Sequence, residues 1–369
     1  MKVALIYDRV NKWGGAERVL LALHEVFPKA DLFTAVYSPS RAPWAKIFPK
    51  VIPSFLQKIP LASSNHEFLG TFTPFAFESF DFGEYELVIS VTSEAAKGII
   101  TRPGTTHICY CLTPTRYLWS ARDYYFAKPP AKFRFIPFFK YLSHPLVKHL
   151  KSWDKMAAQR PDKMIAISTA VRQRIKKYYQ RDAQVIFPPV DTAKFTPKSI
   201  KKGNYFLVVS RLTPYKRVDL AIAAFNKLGL PLLIVGSGSE EGRLKQLAKR
   251  NIRFVGEVSD EKLVDYYRRS KALIFPQEED FGIVAVEALA SGTPVIAFKA
   301  GGALDTVIPG TTGIFFTRQS VTSLISAVRE FQRLKFNPES LRGSAEAFSK
   351  ERFKKEFLAA INYYFQENS

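Results

Sequence analysis

FPQEEDFGIVAVEALASGTPVIAF, residues 275–298, is the stretch whose reading decides the fold. The apolar run ALIFP at 272–276 ends just inside it, a helix-period pattern starts at about Gly282, and a second apolar run, PVIAF, closes it. Strand, turn, helix and strand in so few residues make a βαβ unit, which predicts a parallel sheet. The turn carries three carboxylates, Glu278, Glu279 and Asp280, at the carboxyl end of a strand, the edge where open α/β sheets bind ligands. Gly282 allows a ligand close to the main chain. The amides of Phe281, Gly282, Ile283 and Val284 open the helix without helical acceptors, which suits an anion or a hydroxyl. Glu279 is then an acceptor for ligand hydroxyls, and Glu287, two turns along, faces the same cleft from within the helix. Attraction of EED to the helix dipole is the plainer reading. It leaves Glu287 unexplained, because an unpaired carboxylate in the apolar run IVAVEALA is expensive.

Outward from this unit the pattern repeats. Toward the amino terminus the series YFLVVS, LLIVGSG and IRFVG precedes ALIFP, and GIFF follows PVIAF. An earlier series reads VALIY (3–7), LFTAVY (32–37), LVISV (87–91), HICYC (107–111) and MIAIS (164–168). Short β-branched or aromatic runs alternating with amphipathic stretches predict parallel sheets in both halves. Between the halves, PPVDTAKFTPKSIKKG at 188–203 is rich in Pro, Lys and Thr and has no apolar periodicity, so the boundary is expected near residue 195. The expected organisation is a Rossmann-like domain over 1–195 and a cleaner Rossmann-like domain over 196–350. An amphipathic helix over 351–369 is expected to cross back to the first domain. Two domains suit a chain of 369 residues.

Composition narrows the partners. A net charge of +21 calls for an anionic one, such as lipid headgroups or a phosphorylated substrate. Helix-turn-helix, zinc-finger and RNA-recognition signatures are missing and the basic residues are spread through ordinary α/β sequence, which argues against nucleic acid. From Tyr124 to Lys151 the chain mixes Phe, Tyr and Pro with Lys and Arg and has no acidic residue. Such a segment can lie on an anionic membrane surface; the alternative is core aromatics beside solvated lysines. No run reaches the roughly 18 apolar residues of a spanning helix. MKVALIYD lacks the features of a secretory signal. A cytoplasmic protein, peripheral on the inner face of the cytoplasmic membrane, is the expectation. Cys109 and Cys111, with one residue between them in HICYC, read as buried free thiols. Five scattered histidines show no ligand spacing, so no metal site is expected.

A second informative stretch is SRLTPYKRVDLAIAAF at 210–225, where a strand ends and Arg211 and Lys216 precede a helix. Two cations on such a loop suit a diphosphate, the Arg as a fork and the Lys as a compact charge. A solvated surface pair is the alternative. GSGSE at 236–240 supplies a tight turn without the full dinucleotide fingerprint. In the amino-terminal half, NKWGGAE at 11–17 places Gly14 and Gly15 after the first strand, as a phosphate-approaching loop or a plain turn.

Glu279 and Glu287, seven residues apart with Phe281-Gly282 between, resemble the E-x7-E signature of retaining glycosyltransferase family 4, of GT-B fold. The similarity continues through SGTPVIA at 291–297, Gly301-Gly302 and GTTG at 310–313, landmarks in the family's order. The resemblance implies two Rossmann-like domains with parallel sheets facing across a cleft, 1–195 on the acceptor side and 196–350 binding the nucleotide sugar. It implies that Arg211 and Lys216 bind the donor diphosphate and steady the leaving group, that Glu279 orients the sugar, and that main chain near Glu257 and Val258 in FVGEVSDEKL reads the base. It also implies that Gly14 and Gly15 approach the donor phosphate. SEAAKGIITRPGTTHICYCLTPTRYLW, SWDKMAAQRPDKMIAIS, VIFPPVDTAKF and the EEDFGI form resemble a mannosyltransferase-like group that assembles O-antigens and capsules. A hexose, mannose from GDP-mannose, would pass with retained configuration to a glycan or lipid-linked acceptor, with no cofactor and no metal. One departure stands out. Where that group carries a histidine contacting the donor sugar, this chain has Leu112, which neither donates nor accepts. It motivates the rival of a non-catalytic nucleotide-sugar-binding protein; a sugar-nucleotide epimerase or phosphorylase of the same fold is another.

Overall fold

The computed structural model describes residues 1–60, 70–120, 139–198 and 202–367. The chain packs as two compact units, Met1–Ile186 and Phe187–Ser369. Among the described residues the first unit holds seven strands: β1 (Val3–Tyr7), β2 (Asp31–Thr34), β3 (Val51–Pro53), β4 (Leu87–Thr92), β5 (Thr106–Cys111), β6 (Lys163–Ala166) and β7 (Gln184–Val185). All pair in parallel, in the order β3-β2-β1-β4-β5-β6-β7. The chain therefore runs outward from β1 to one edge, returns, and runs outward again from β4. That leaves a topological switch point between β1 and β4. Every residue of β1, β2 and β4 is buried, as a parallel sheet covered on both faces requires. Phe33 centres an aromatic cluster on one face, with ring centroids 5.2 Å from Phe80, 5.0 Å from Phe82 and 5.6 Å from Tyr85.

The second unit repeats the plan with β8 (Phe206–Val209), β9 (Leu232–Val235), β10 (Ile252–Gly256), β11 (Leu273–Phe275), β12 (Val295–Phe298) and β13 (Gly313–Phe316). The order is β10-β9-β8-β11-β12-β13, again parallel throughout, with the switch point between β8 and β11. Its core sets Phe206 edge-to-face with Phe225 from the helix Val218–Leu228 and with Phe331 from the helix Val321–Phe331.

The units part at Ile186 and Phe187 because the aperiodic stretch after β7 is anchored to the second unit. Phe187 packs 5.1 Å from Phe348, and Phe195 packs 5.9 Å from Tyr267. Val190 exchanges main-chain bonds with Phe348 and Lys350, at 2.9 and 3.0 Å. Isolated apolar anchors of this kind carry no period. The final helix, Lys350–Glu367, falls within the second compact unit and buries Phe353 and Phe357 completely. Of the basic aromatic stretch 124–151, residues 124–138 lie outside the described residues; its end belongs to the helix Phe139–Ala157.

Both thiols of HICYC are free and buried. Their neighbour His107 is fully buried as well, with Nε2 2.8 Å from the Ser90 hydroxyl. Burial foremost, then the charges of Arg181 and Arg160, push its pKa down to about 3. The unfolded chain, with an imidazole near pH 6.5, therefore binds a proton that the folded chain refuses. Stability contributed by this neutral imidazole is present above pH ~6.5 and is lost as the pH falls toward 3, by about 4–5 kcal/mol in all. Urea titrations at pH 7 and pH 4 should show His107→Gln losing that part of the acid slope.

Candidate functional site

The switch point of the second sheet gathers the chemistry. β8 ends at Val209, and the following loop turns through the 3-10 segment Pro214–Lys216 before the helix Val218–Leu228. Arg217 joins the two in the left-handed region, φ 53° and ψ 33°, a conformation that costs a residue with a Cβ about 1 kcal/mol or more. Its guanidinium donates to Gln319 Oε1 (3.1 Å), and Gln319 Nε2 donates to the Pro276 carbonyl (2.9 Å). The strained junction is thereby tied to the loop after β11.

Across the switch point, the Lys216 ammonium pairs with Glu279 Oε1; the two side chains are 14% and 15% exposed. The cation of one loop and the carboxylate of the other thus meet at a half-open edge. Arg211 lies on the same loop as Lys216 and donates from Nη2 to the Tyr215 hydroxyl at 3.0 Å. Gln277 completes the group: it is 2% exposed, its Nε2 lies 3.5 Å from Glu279 Oε1, and its own Oε1 has no hydrogen-bond partner. Neither Gln277 nor the Arg217–Gln319 tie was anticipated from sequence. Gln277 could have been suspected as a polar residue two positions past a buried strand; Gln319 carries no local signal.

Gly282 caps the helix Ile283–Ala290 with φ +95°, and a Cβ there would stand 2.7 Å from the Phe275 ring. Left-handed backbone and close packing both require glycine at this position. The amides of Ile283 and Val284 fall in the first helical turn. Phe281 is buried, its ring 5.8 Å from Phe187 and 5.5 Å from Phe348, while its carboxyl-side neighbours are half-buried. The Gly302 amide donates to the Glu279 carbonyl at 2.9 Å, so the loop after β12 braces the acidic turn from behind.

Glu287 lies further along the helix Ile283–Ala290. It is 1% exposed inside the helix, and its Oε2 accepts from the Tyr267 hydroxyl at 3.0 Å. Tyr267 belongs to the helix Asp260–Arg269, so Glu287 joins two helices of the second unit. Glu257 and Val258 follow β10 directly, and the Ser237 hydroxyl from the loop after β9 donates to the Glu257 carboxylate. Gly14 and Gly15 belong to the first unit: Gly14 precedes the helix Gly15–Val26 in extended backbone.

The first unit has a polar cluster at its own switch point. Asp8, just past β1, accepts from Thr92 Oγ1 (2.8 Å) and from the amides of Ser93 (2.7 Å), Glu94 (3.1 Å) and Ala96 (3.0 Å). Its pKa is raised, by burial first and the Glu94 charge second. Arg9 forms a forked pair with Glu94 at 2.9 and 2.5 Å. Leu112 is half-buried, and its amide extends the pairing of β5 with β4 by donating to Thr92 O at 2.8 Å. Among the described residues no three His, Cys, Asp or Glu side chains are grouped to hold a metal ion.

Residues 190–348 match the protein family described as Glycosyl transferases group 1. Glycogen synthase of Mycobacterium tuberculosis is 30% identical over 206 residues, 51% of this chain and 50% of that protein. The O-antigen chain mannosyltransferase RfbU of Salmonella typhimurium is 31% identical over 154 residues, 38% of this chain and 43% of the relative. Among solved structures, Anabaena HepE in complex with UDP-glucose is similar with a TM-score of 0.70 at 17% identity, covering 98% of this chain and 100% of that one. That likeness shows the fold, GT-B, with two Rossmann-like units built on parallel sheets. The chain spans about half the length of the curated relatives it matches.

Proposed function

We propose that the protein is a retaining, metal-independent glycosyltransferase that moves a hexose, mannose from GDP-mannose, to a glycan or lipid-linked acceptor in cell-surface polysaccharide synthesis. The observation that carries the reading is the Lys216–Glu279 pair at the β8/β11 switch point, with Arg211 on the same loop as the lysine. A diphosphate beside these cations draws Lys216 to itself, and the carboxylate it leaves is an acceptor for sugar hydroxyls. As the glycosidic bond to phosphate breaks, negative charge grows on the diphosphate, where Arg211, Lys216 and the helix amides near Ile283 and Val284 stabilise it. A donor phosphate oxygen takes the proton of the attacking acceptor hydroxyl. Glu279 orients the sugar and forms no covalent intermediate. Glycosidase chemistry needs two carboxyls flanking one bond from separate elements, whereas Glu279 and Glu287 share one loop and helix.

The net charge of +21 favours an anionic membrane surface, and the lipid-linked acceptor places the protein peripherally on the inner face of the cytoplasmic membrane. No helix among the described residues is long and apolar enough to cross a membrane.

Purified protein offered GDP-mannose, UDP-glucose and UDP-galactose with lipid-linked glycans, in EDTA, is expected to release nucleoside diphosphate with GDP-mannose, and NMR of the product to show the donor's anomeric configuration. Leu112 favours one rival, a nucleotide-sugar-binding protein without turnover. Saturable binding with no release across the panel would establish that rival instead.

A further inference from the structure

Of the four tryptophans, three are half-buried and commit their indole N–H: Trp44 to the Lys12 carbonyl at 2.8 Å, Trp119 to the Asp154 carboxylate at 2.7 Å and Trp153 to the Glu78 carboxylate at 2.7 Å. Trp13 differs on both counts. It is 54% exposed, and among the described residues its indole N–H has no partner. A ring of this size left half open in water forgoes one of the largest apolar burials a side chain can make.

The ring is nevertheless held in place. Val10 N donates to Val36 O at 3.0 Å and Ser38 N to Val10 O at 2.8 Å, so the loops after β1 and β2 run on side by side. Trp44, in the 3-10 segment Pro43–Ile47, is tied to the first of these loops by its bond to Lys12, and its ring lies 6.3 Å from that of Trp13. Trp44 is seated in turn on Phe48, 6.4 Å away, and Phe48 on His24, 4.7 Å away. Two indoles tilted at 57° thus form a shelf at the carboxyl edge of the first sheet, in place before any ligand arrives.

That shelf stands at the β1/β4 switch point, the place where open α/β sheets take ligands. Four residues before Trp13 on the same loop is Arg9, forked onto Glu94 from the loop after β4, with side chains 18% and 21% exposed. Four residues of chain span at most about 14 Å, so shelf and fork fall within reach of one short oligosaccharide. The fork selects the ligand's charge. An anion would have to displace Glu94 and a cation Arg9, whereas a neutral polyol donates hydroxyls to the carboxylate and accepts from the guanidinium. A pyranose meets both features, since its C–H face stacks on an indole and its rim hydroxyls reach polar partners. A surface of anionic lipids would instead bring its phosphates against Glu94. We propose that Trp13, seated on Trp44, is the platform for a neutral sugar ring of the acceptor, and that Arg9 and Glu94 hold that glycan's hydroxyls. This rests on the glycosyl transfer proposed above and deepens it, by making the recognised part of the acceptor its sugar and not its lipid.

The test is fluorine NMR of the full chain carrying 5-fluorotryptophan, its four signals assigned by replacing each tryptophan in turn with phenylalanine. The chain is titrated with mannotriose, cellotriose and N-acetylchitotriose, and separately with phosphatidylglycerol vesicles. At least one trisaccharide should move the Trp13 and Trp44 signals saturably while those of Trp119 and Trp153 stay in place. Read on the Trp44 signal, Trp13→Ala should weaken that trisaccharide at least about tenfold, and Trp13→Tyr by less, because a ring remains. Glu94→Gln should also weaken it, and serves if the Trp13 variants fold poorly. No movement with any trisaccharide, movement of all four signals together, or a Trp13 signal that answers only to vesicles overturns the platform. GDP is titrated on the same sample: a chain that takes the trisaccharide and no GDP refutes the donor site alone, and one that takes GDP and no trisaccharide refutes the platform alone.

Discussion

Glu279→Gln is expected to slow sugar transfer by about two to three orders of magnitude while tightening the binding of free GDP several-fold. The two readouts move in opposite directions because Lys216 has two anionic partners to choose between. Without a donor its ammonium lies on Glu279 Oε1, with both side chains largely shielded from water. A diphosphate must compete with that carboxylate, so removing the carboxylate's charge makes the cation easier to recruit. In the productive complex, however, the sugar's hydroxyls need the strong acceptor that glutamine supplies only weakly. Lys216→Ala, by contrast, should weaken both GDP binding and turnover, since it deletes the cation that serves the leaving group. Titration of each variant with GDP, beside kcat/KM for transfer, separates the cases. If Glu279→Gln binds GDP more weakly than the parent, the carboxylate does not compete for Lys216 and the exchange is wrong.

Why this contact was not legible beforehand follows from where the two residues lie. Periodicity located the acidic turn after ALIFP and the cationic loop after YFLVVS, since each is a local strand-to-helix signal. The chain separates Lys216 from Glu279 by 63 residues, and only the sheet order, with β8 beside β11, brings their loops together. Glu287 shows the same limit from the other side. Its setting in IVAVEALA predicted a carboxylate that had to be satisfied. Its partner is the Tyr267 hydroxyl on a neighbouring helix, which spacing along one helix does not disclose. The junction at Arg217 is harder still, because neither glycine nor asparagine marks the left-handed turn; the tie to Gln319 accommodates it. Anchors such as Phe187 and Phe195 in the stretch before β8 were invisible for a related reason: single aromatics packed on distant residues of their own unit have no period.

The first unit has a comparable long-range hub, and breaking it should have the largest effect on stability. Asp154→Ala is expected to destabilise that unit by about 3–5 kcal/mol, a large share of the stability of an ordinary domain. Asp154 is 1% exposed and accepts four side-chain donors: Lys97 Nζ at 2.6 Å, Thr115 Oγ1 at 2.8 Å, Trp119 Nε1 at 2.7 Å and Tyr179 Oη at 2.8 Å. Burial opposes the charged form of Lys97, and the Asp154 carboxylate foremost, with Cys111 and Asp8 behind it, outweighs that penalty, so the lysine pKa is raised. Alanine at 154 leaves that ammonium without its counter-charge, held by the Glu94 carbonyl and the Thr115 hydroxyl, and orphans the indole N–H, which can only donate. Lys97→Met should cost less, because Asp154 keeps the Thr115, Trp119 and Tyr179 donors and methionine fills the space of the lysine stem. A strictly charge-driven hub would instead make the two substitutions equal. Calorimetry resolves this when hydrogen exchange assigns the shifted transition to residues before 187. Equal losses, or a loss for Asp154→Ala under about 1 kcal/mol, would mean that water or rearranged partners satisfy the buried lysine.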